Sequence, residues 1–281
     1  MVVGSLRRAR AIMTLRILLL SAGALVMVLP FAYMLSTSFK PDSLVLHLPP
    51  QFIPHHATTA NYTGAWTSNQ FGHYFLNSVI VAVATTFAAV LLSAMMAFAF
   101  ARFRFPGRAV LFALLLVGLM VPTMMLLIPQ FLLAKHLLLL DSLLGLIVFY
   151  TGGNLAFDTF LLRSFFQEIP HELEEAMVVD GAGPWTRFTR LILPLSRPAL
   201  AAVAVFTFLG SWDEFVWALT IINTPSKRTL PIAIALFEGQ HATSWGLVFA
   251  ASAIAVGPVI GLFAIFQRQF VSGLTSGALK A

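Results

Sequence analysis

Hydrophobic residues along this chain gather into six long runs, at roughly 12–37, 73–101, 109–133, 143–165, 199–222 and 246–267, with few charges inside them. Each run approaches or exceeds the roughly 20 residues that carry a helix across a bilayer. Within lipid every backbone N–H and C=O must be bonded inside the protein, which leaves helices and closed barrels as the spanning structures. The runs lack the two-residue alternation of barrel strands, so six membrane helices are predicted. The first run follows Arg7, Arg8, Arg10 and Arg16 and contains Ser21-Ala22-Gly23-Ala24, which resembles a cleaved leader. It stays apolar from Leu25 to Leu35, longer than a leader's core needs, so a retained anchor is expected. Pro122 and Pro129 predict kinks in the third run and Pro258 in the sixth, while Gly257-x-x-x-Gly261 permits close helix approach. The segment from Lys40 to Gly72, rich in Pro, His and Thr, has no strong periodicity and reads as a connector.

Composition agrees with this pattern. The 281 residues are 59% hydrophobic and 10% charged, and the mean hydropathy is +0.88. A net charge of +6 would fit a nucleic-acid partner if it were clustered. Its distribution says otherwise. With the N-terminus in the cytoplasm, Arg7, Arg8, Arg10, Arg16, Arg102, Arg104, Arg108, Arg163, Arg187, Arg190, Arg197, Arg268 and Lys280 fall inside, and Lys40, Lys135, Lys227 and Arg228 outside. Basic residues on the cytoplasmic side are the orientation signal of a membrane protein, so both termini are expected in the cytoplasm and no nucleic acid is needed.

One connection is too polar for its surroundings. Between His171 and Pro198 lie Glu172, Glu174, Glu175 and Asp180, followed by Arg187, Arg190 and Arg197. Pro170 suits a helix start and the acids behind it favour the positive end of the helix dipole. Asp180-Gly181-Ala182-Gly183 ends that helix, Pro184 opens a second, and Pro194 is expected to stop it, because a residue before proline avoids helical geometry. Leu173, Ala176 and Met177 share one face of the first helix, a stripe too short to stabilise it alone, so a docking partner is expected.

The residues in this stretch resemble a known signature: Glu-Ala-Ala, three residues, Gly, nine residues, Ile-x-Leu-Pro. It belongs to the inner-membrane permease subunits of bacterial ATP-binding-cassette importers. Here it runs Glu175-Ala176-Met177, Val178-Val179-Asp180, Gly181, nine residues, Leu191-Ile192-Leu193-Pro194, with Met177 and Leu191 as conservative departures. Asn77-Ser78, Phe105-Pro106-Gly107, Ser211-Trp212-Asp213-Glu214-Phe215 and Gly273-Leu274-Thr275-Ser276-Gly277-Ala278 resemble the carbohydrate-uptake branch, similar to the smaller maltose-permease subunit. The resemblance implies an all-α type I importer permease in the bacterial inner membrane, one transmembrane domain over 1–281. Within it, 168–195 is implied to be the coupling-helix loop, seated on a separate ATPase through Glu175, Ala176, Met177, Asp180, Gly181, Leu193 and Pro194. It also implies the partners: a second homologous permease, two ATP-binding-cassette ATPase domains that hold ATP and Mg, an extracytoplasmic substrate-binding protein and surrounding lipid.

Other chemistry finds little support in the residues. No Lys follows a Gly, so there is no phosphate-binding P-loop, and ATP hydrolysis is expected in a partner. The chain has no Cys, no HExxH and no Gly-x-Ser-x-Gly. His47, His55, His56, His73 and His241 lie in or beside external loops, His136 closes the third run and His171 lies in the cytoplasmic loop, so no metal or cofactor site is expected. Three acids lie at depth: Asp158, read as pairing with Arg163 or a nearby loop Arg, and Asp213 and Glu214 near the middle of the fifth run. Gly210, Asp213, Trp217 and Thr220 fall at helical spacing on one face, a polar stripe with an indole that suits a sugar or, equally, a subunit interface. The expected function is sugar import, with a glycerophosphodiester or polyol phosphate as the alternative cargo. A secondary transporter would work without ATP and show inverted repeats or broken helices, and neither is visible in the sequence.

Overall fold

The computed structural model describes residues 2–45, 51–54, 56–68, 70–238 and 243–278, with the backbone alone described for 2–11, 42–43 and 270–278. His47, His55, His241 and Lys280 lie outside the described residues, and the tail from Gly273 to Ala278 is described only as helical backbone. Among the described residues the chain is helical without strands, apart from an isolated antiparallel bridge between Glu238 and Thr243.

Two compact units emerge, residues 1–68 with 234–254, and residues 69–233 with 255–281. The first contains α1 (Val2–Ser38), α2 (Asp42–Val45) and α3 (Ala60–Thr67). The stretch read as a connector is therefore partly helical. Asn61 explains why: its amide donates to the carbonyls of Ser38 (2.9 Å) and Lys40 (2.7 Å), which fastens α3 to the end of α1. Lys40 is buried, its ammonium donating to Thr37 and lying 4.7 Å from the centre of the Tyr33 ring.

The second unit is built on α4 (Phe71–Arg102), α7 (Leu143–Glu168) and α11 (Arg197–Trp212). Small residues let these helices approach: Ala94 and Ala97 of α4 and Ala199 of α11 are buried among Phe98, Leu162, Phe166 and Val203. A second cluster around Val81, Leu146, Tyr150, Trp217 and Ile221 forms the other half of the core. Four helices are long and apolar enough to cross a membrane, or up to six if each of two bent pairs is one span. One of these four, α13 (Trp245–Ala278), continues through Pro258 as a single helix.

The third run is one of the bent pairs. α5 (Arg108–Met120) gives way at Val121, which is extended because Pro122 follows it. A 3-10 turn then leads into α6 (Leu127–His136), bent by 97°. Pro129 causes no kink of its own, since it falls in the first turn of α6, where its missing N–H has no helical acceptor to lose.

Beyond α6 the loops are locked by side chains. Asp141, itself at φ +50, accepts from the Asn223 and Thr224 N–H groups (3.0 and 2.9 Å), from the Thr224 hydroxyl (2.6 Å) and from Lys227 Nζ (3.2 Å). Asn77 donates to the carbonyls of Ser226 and Arg228, and the Ser78 hydroxyl accepts from Leu230 N–H. The Asn77-Ser78 pair thus anchors a loop some 150 residues away, as the separations of 149 to 152 show.

Candidate functional site

The polar stretch forms α8 (His171–Val179), whose exit is fixed by the backbone. Gly181 adopts φ +80, its N–H bonds Val178 O (2.9 Å), and Ala182 N–H reaches Met177 O (2.8 Å). This is the paired closure of a Schellman end, which requires a left-handed residue at that position. A Cβ on Gly181 would meet nothing within 4 Å, so the constraint there is conformational.

The second helix does not stop before Pro194. α9 (Pro184–Arg187) runs into a π turn at Phe188–Ile192 and on through α10 (Leu193–Leu195). The wider π turn absorbs the hydrogen bond and the space that proline denies to a regular helix. The chain breaks instead at Ser196, where α9 to α10 and α11 meet at 79°.

Glu174 departs most from the expected dipole acid. It is buried, with Arg102 Nε 2.5 Å from its Oε1 and Arg187 Nη1 3.4 Å from its Oε2. The Arg102–Glu174 contact is close but off the line of a hydrogen bond. Arg102 also donates to Ile169 O (2.7 Å) and meets His171 Nε2 (3.1 Å). The last turn of α4 is thereby tied to the first turn of α8. Of the residues assigned to coupling, Glu175, Ala176, Asp180, Gly181 and Pro194 are exposed, while Met177 and Leu193 are half-buried. Leu173, Val179 and Trp185 add exposed apolar surface, Val179 at 87%.

The fifth run is also interrupted. α11 ends at Trp212, and α12 (Val216–Ile221) begins after Asp213-Glu214-Phe215, so the two acids sit at a break and not inside a continuous helix. Glu214 makes the new start. Its Oε1 accepts from Trp217 N–H (2.7 Å), and its Oε2 accepts from Ala218 N–H (3.0 Å) and the Tyr150 hydroxyl (2.5 Å). A carboxylate at a helix N-terminus satisfies orphan donors and complements the dipole.

A cavity of about 280 Å³ opens beside this break. Its wall brings together Thr123 and Gln130 after the break in the third run, Tyr150, Gly153 and Asn154 of α7, and Gly210, Glu214 and Trp217. Of the proposed stripe, Gly210 and Trp217 line the cavity. Asp213 and Thr220 do not: Asp213 is exposed at the break, and the Thr220 hydroxyl is spent on Val216 O. A single helical face cannot be extrapolated across a break, which is why the stripe divides. Tyr150, Asn154 and Gln130 carry no local sequence signal of their own; they are brought in by packing.

Asp158 is buried and takes its hydrogen bond from the Thr207 hydroxyl (2.9 Å). Arg163, its expected partner, turns instead to Phe100 O and lies 4.1 Å from the Phe112 ring centre. Among the described residues no group of three or more His, Asp or Glu is placed to hold a metal.

Comparison with known proteins places these features. Residues 89–276 match the family model described as binding-protein-dependent transport system inner membrane component. The diacetylchitobiose uptake system permease protein of Streptomyces coelicolor is 36% identical over 264 residues, covering 93% of this chain and 87% of that protein. The trehalose transport system permease protein of Mycobacterium tuberculosis is 37% identical over 254 residues, covering 90% and 92%. Among solved structures, a bacterial ABC transporter that imports the acidic polysaccharide alginate aligns with a TM-score of 0.79 at 23% identity, over 93% of this chain and 97% of that one. The break in the third run, where Pro122 predicted a kink, and the break in the fifth, which the sequence did not reveal, thus lie in a chain of this importer family and are no mark of a secondary transporter. The chain is a member of the inner membrane components of binding-protein-dependent transport systems.

Proposed function

We propose that this chain is the permease subunit of an ABC importer that carries a sugar across the inner membrane, driven by a separate ATPase. The sugar permeases of Streptomyces and Mycobacterium, similar along nearly the whole chain, support the cargo class. In this reading residues 1–281 form one permease domain of six spans, with the two compact units as its parts and both termini cytoplasmic. It works beside a second permease, two ATPase domains that bind ATP and Mg, and an external binding protein; a bacterial alginate ABC transporter of similar fold, solved in complex with an alginate pentasaccharide-bound periplasmic protein, supports the last of these.

One observation carries the coupling role of 168–195. The inner side of α8 is fixed to α4 through Glu174 and Arg102, while its outer side presents Leu173, Ala176 and Val179 uncovered. A short helix anchored on one side and presenting uncovered apolar residues around exposed Glu172 on the other is what a docking element needs. Glu175 and Asp180 stand at its rim. Gly181→Leu must strain the left-handed position, at about 1–2 kcal/mol, whereas Gly181→Asn tolerates it better. Ala176→Glu puts charge on the outer face without touching the turn.

The test is purification of the membrane complex and measurement of binding-protein-stimulated ATP hydrolysis and uptake. Ala176→Glu and Gly181→Leu should leave the two permeases paired but lose the ATPase or its stimulation, with Gly181→Asn milder. Parental ATPase retention and uptake in both Ala176→Glu and Gly181→Leu would overturn the coupling assignment.

A further inference from the structure

We propose that the cavity at the break of the fifth span is a subsite for one ring of an uncharged saccharide, and that this permease therefore touches its cargo directly. The inference rests on the import function above but is separable from it. Three features converge. First, both interrupted spans contribute to the cavity, Thr123 following one break and Glu214 filling the other; irregular backbone at membrane depth is tolerated where it lines a cavity or is buried in protein. Second, the wall has the chemistry of sugar recognition. Phe149 and Trp217 lie with ring centres 4.9 Å apart, offering apolar surface to a pyranose face. Asn154 donates its amide to Tyr150 O, which leaves its oxygen as an acceptor for a hydroxyl. Trp217 Nε1 is buried without a hydrogen-bond partner among the described residues.

Third, the opening is maintained by absent side chains. Gly153 and Gly210 line the cavity, and a Cβ at either would meet nothing within 4 Å. Both lie within helices, where glycine is unfavourable relative to other residues, so their presence is explained by space rather than by backbone geometry.

Charge then selects the cargo. Among the described residues the cavity wall contains no Lys, Arg or His, and its one carboxylate, Glu214, already holds three donors. A phosphate or uronate placed there would meet a like charge and no cation. The phosphodiester alternative thus loses its footing, and the ring bound here differs in charge from the acidic polysaccharide of the structurally similar transporter.

The experiment uses the full permease–ATPase complex, incubated with a mixed digest of chitin, starch and alginate, washed and denatured, with released saccharides identified by mass spectrometry. The parent should retain neutral hexose or N-acetylhexosamine species. Gly153→Leu and Gly210→Leu should pair with the sister permease as the parent does and retain roughly tenfold less or lower still, the scale at which filling a pocket discriminates. Retention of uronates, of no saccharide, or of parental amounts in the Leu variants overturns the proposal. So does failure of both variants to pair with the sister permease, which would assign the cavity to that subunit. ATP-driven uptake is measured in parallel: neutral-sugar retention without it refutes the importer reading alone, and uptake with a Leu-tolerant cavity refutes the subsite alone.

Discussion

Removing the Glu174 charge should uncouple the signature loop from the membrane helices before it unfolds either. Glu174 contacts two guanidinium groups, at 2.5 and 3.4 Å, and its side chain and that of Arg102 are only 5% and 3% exposed. At an effective dielectric constant of about 20, contacts at these distances represent roughly 5 to 7 kcal/mol each of gross attraction. Desolvation offsets much of that gain. What a mutation reads is the isolated partner left behind, about 3–5 kcal/mol for a buried pair. Arg187, 20% exposed, can turn toward water, so most of the cost falls on Arg102. Glu174→Leu should therefore lower the thermal midpoint of the purified complex by roughly 5 °C or more, and Glu172→Gln, on the exposed side of α8, should change it little. The double variant Glu174→Leu with Arg102→Met removes both charges and should recover part of the loss, giving a coupling energy above about 1 kcal/mol in the cycle. Binding-protein stimulation of ATP hydrolysis should fall in Glu174→Leu even at temperatures where the complex is fully folded. Additive single effects, or normal stimulation, would show that α4 and α8 are not mechanically joined through this pair.

Two further outcomes follow from other side chains. Thr207→Val removes the hydroxyl that donates to buried Asp158 and should destabilise the complex by about 1–3 kcal/mol, whereas combining it with Asp158→Leu should recover much of that; thermal unfolding in detergent reads both, and a harmless Thr207→Val would refute the account. At the Asp141 clamp, the Thr224 hydroxyl, then the Thr224 and Asn223 N–H groups and Lys227, hold the carboxyl well below the usual carboxylate range. A lowered folded pKa means that the stabilisation is present above the unfolded value, about 3.9, and lost as pH falls below it. Hydrogen-exchange protection of the 222–230 loop should hold from neutrality to about pH 4 and weaken below, and Asp141→Asn should remove that acid-side change.

Long features and the bend at Pro122 were legible in the sequence, and the break in the fifth run was not. A run such as 199–222 has the same apolar composition whether its helix is continuous or interrupted, because what permits three residues of irregular backbone is the burial and side-chain bonding supplied by other helices, which the run itself does not record. Asp213-Glu214 was visible as a polar pair in that run; the cap that Glu214 makes on Trp217 and Ala218 needs the break itself, and its third donor, Tyr150, comes from 64 residues away. Glu174 is the first-turn acid that the sequence indicates, but its burial was hidden for the same reason. Its local context is that of a first-turn acid, and only the arrival of Arg102 from the end of α4 makes it internal. Pro194 shows a different failing: the local rule was sound for a regular helix, and the chain escaped it through a π turn.

The bend at Ser196 and the break at Asp213 to Phe215 give α11 the properties of a connecting rod. Its 16 residues amount to about 24 Å of stiff helix. One end is jointed at Ser196 to the segment that follows α8, and the other at Asp213 to Phe215 beside the cavity. A rod with a joint at each end does not pass on torque or dissipate a push by flexing. A tilt of about 10° at one joint carries the other sideways by about 4 Å over that length, comparable to the separation of two hydrogen-bonded heavy atoms plus a bond. Sidewise travel of that size is enough to exchange one set of partners for another around Gly210 and Ser211, which is the reach that the coupling role proposed for 168–195 requires of this helix.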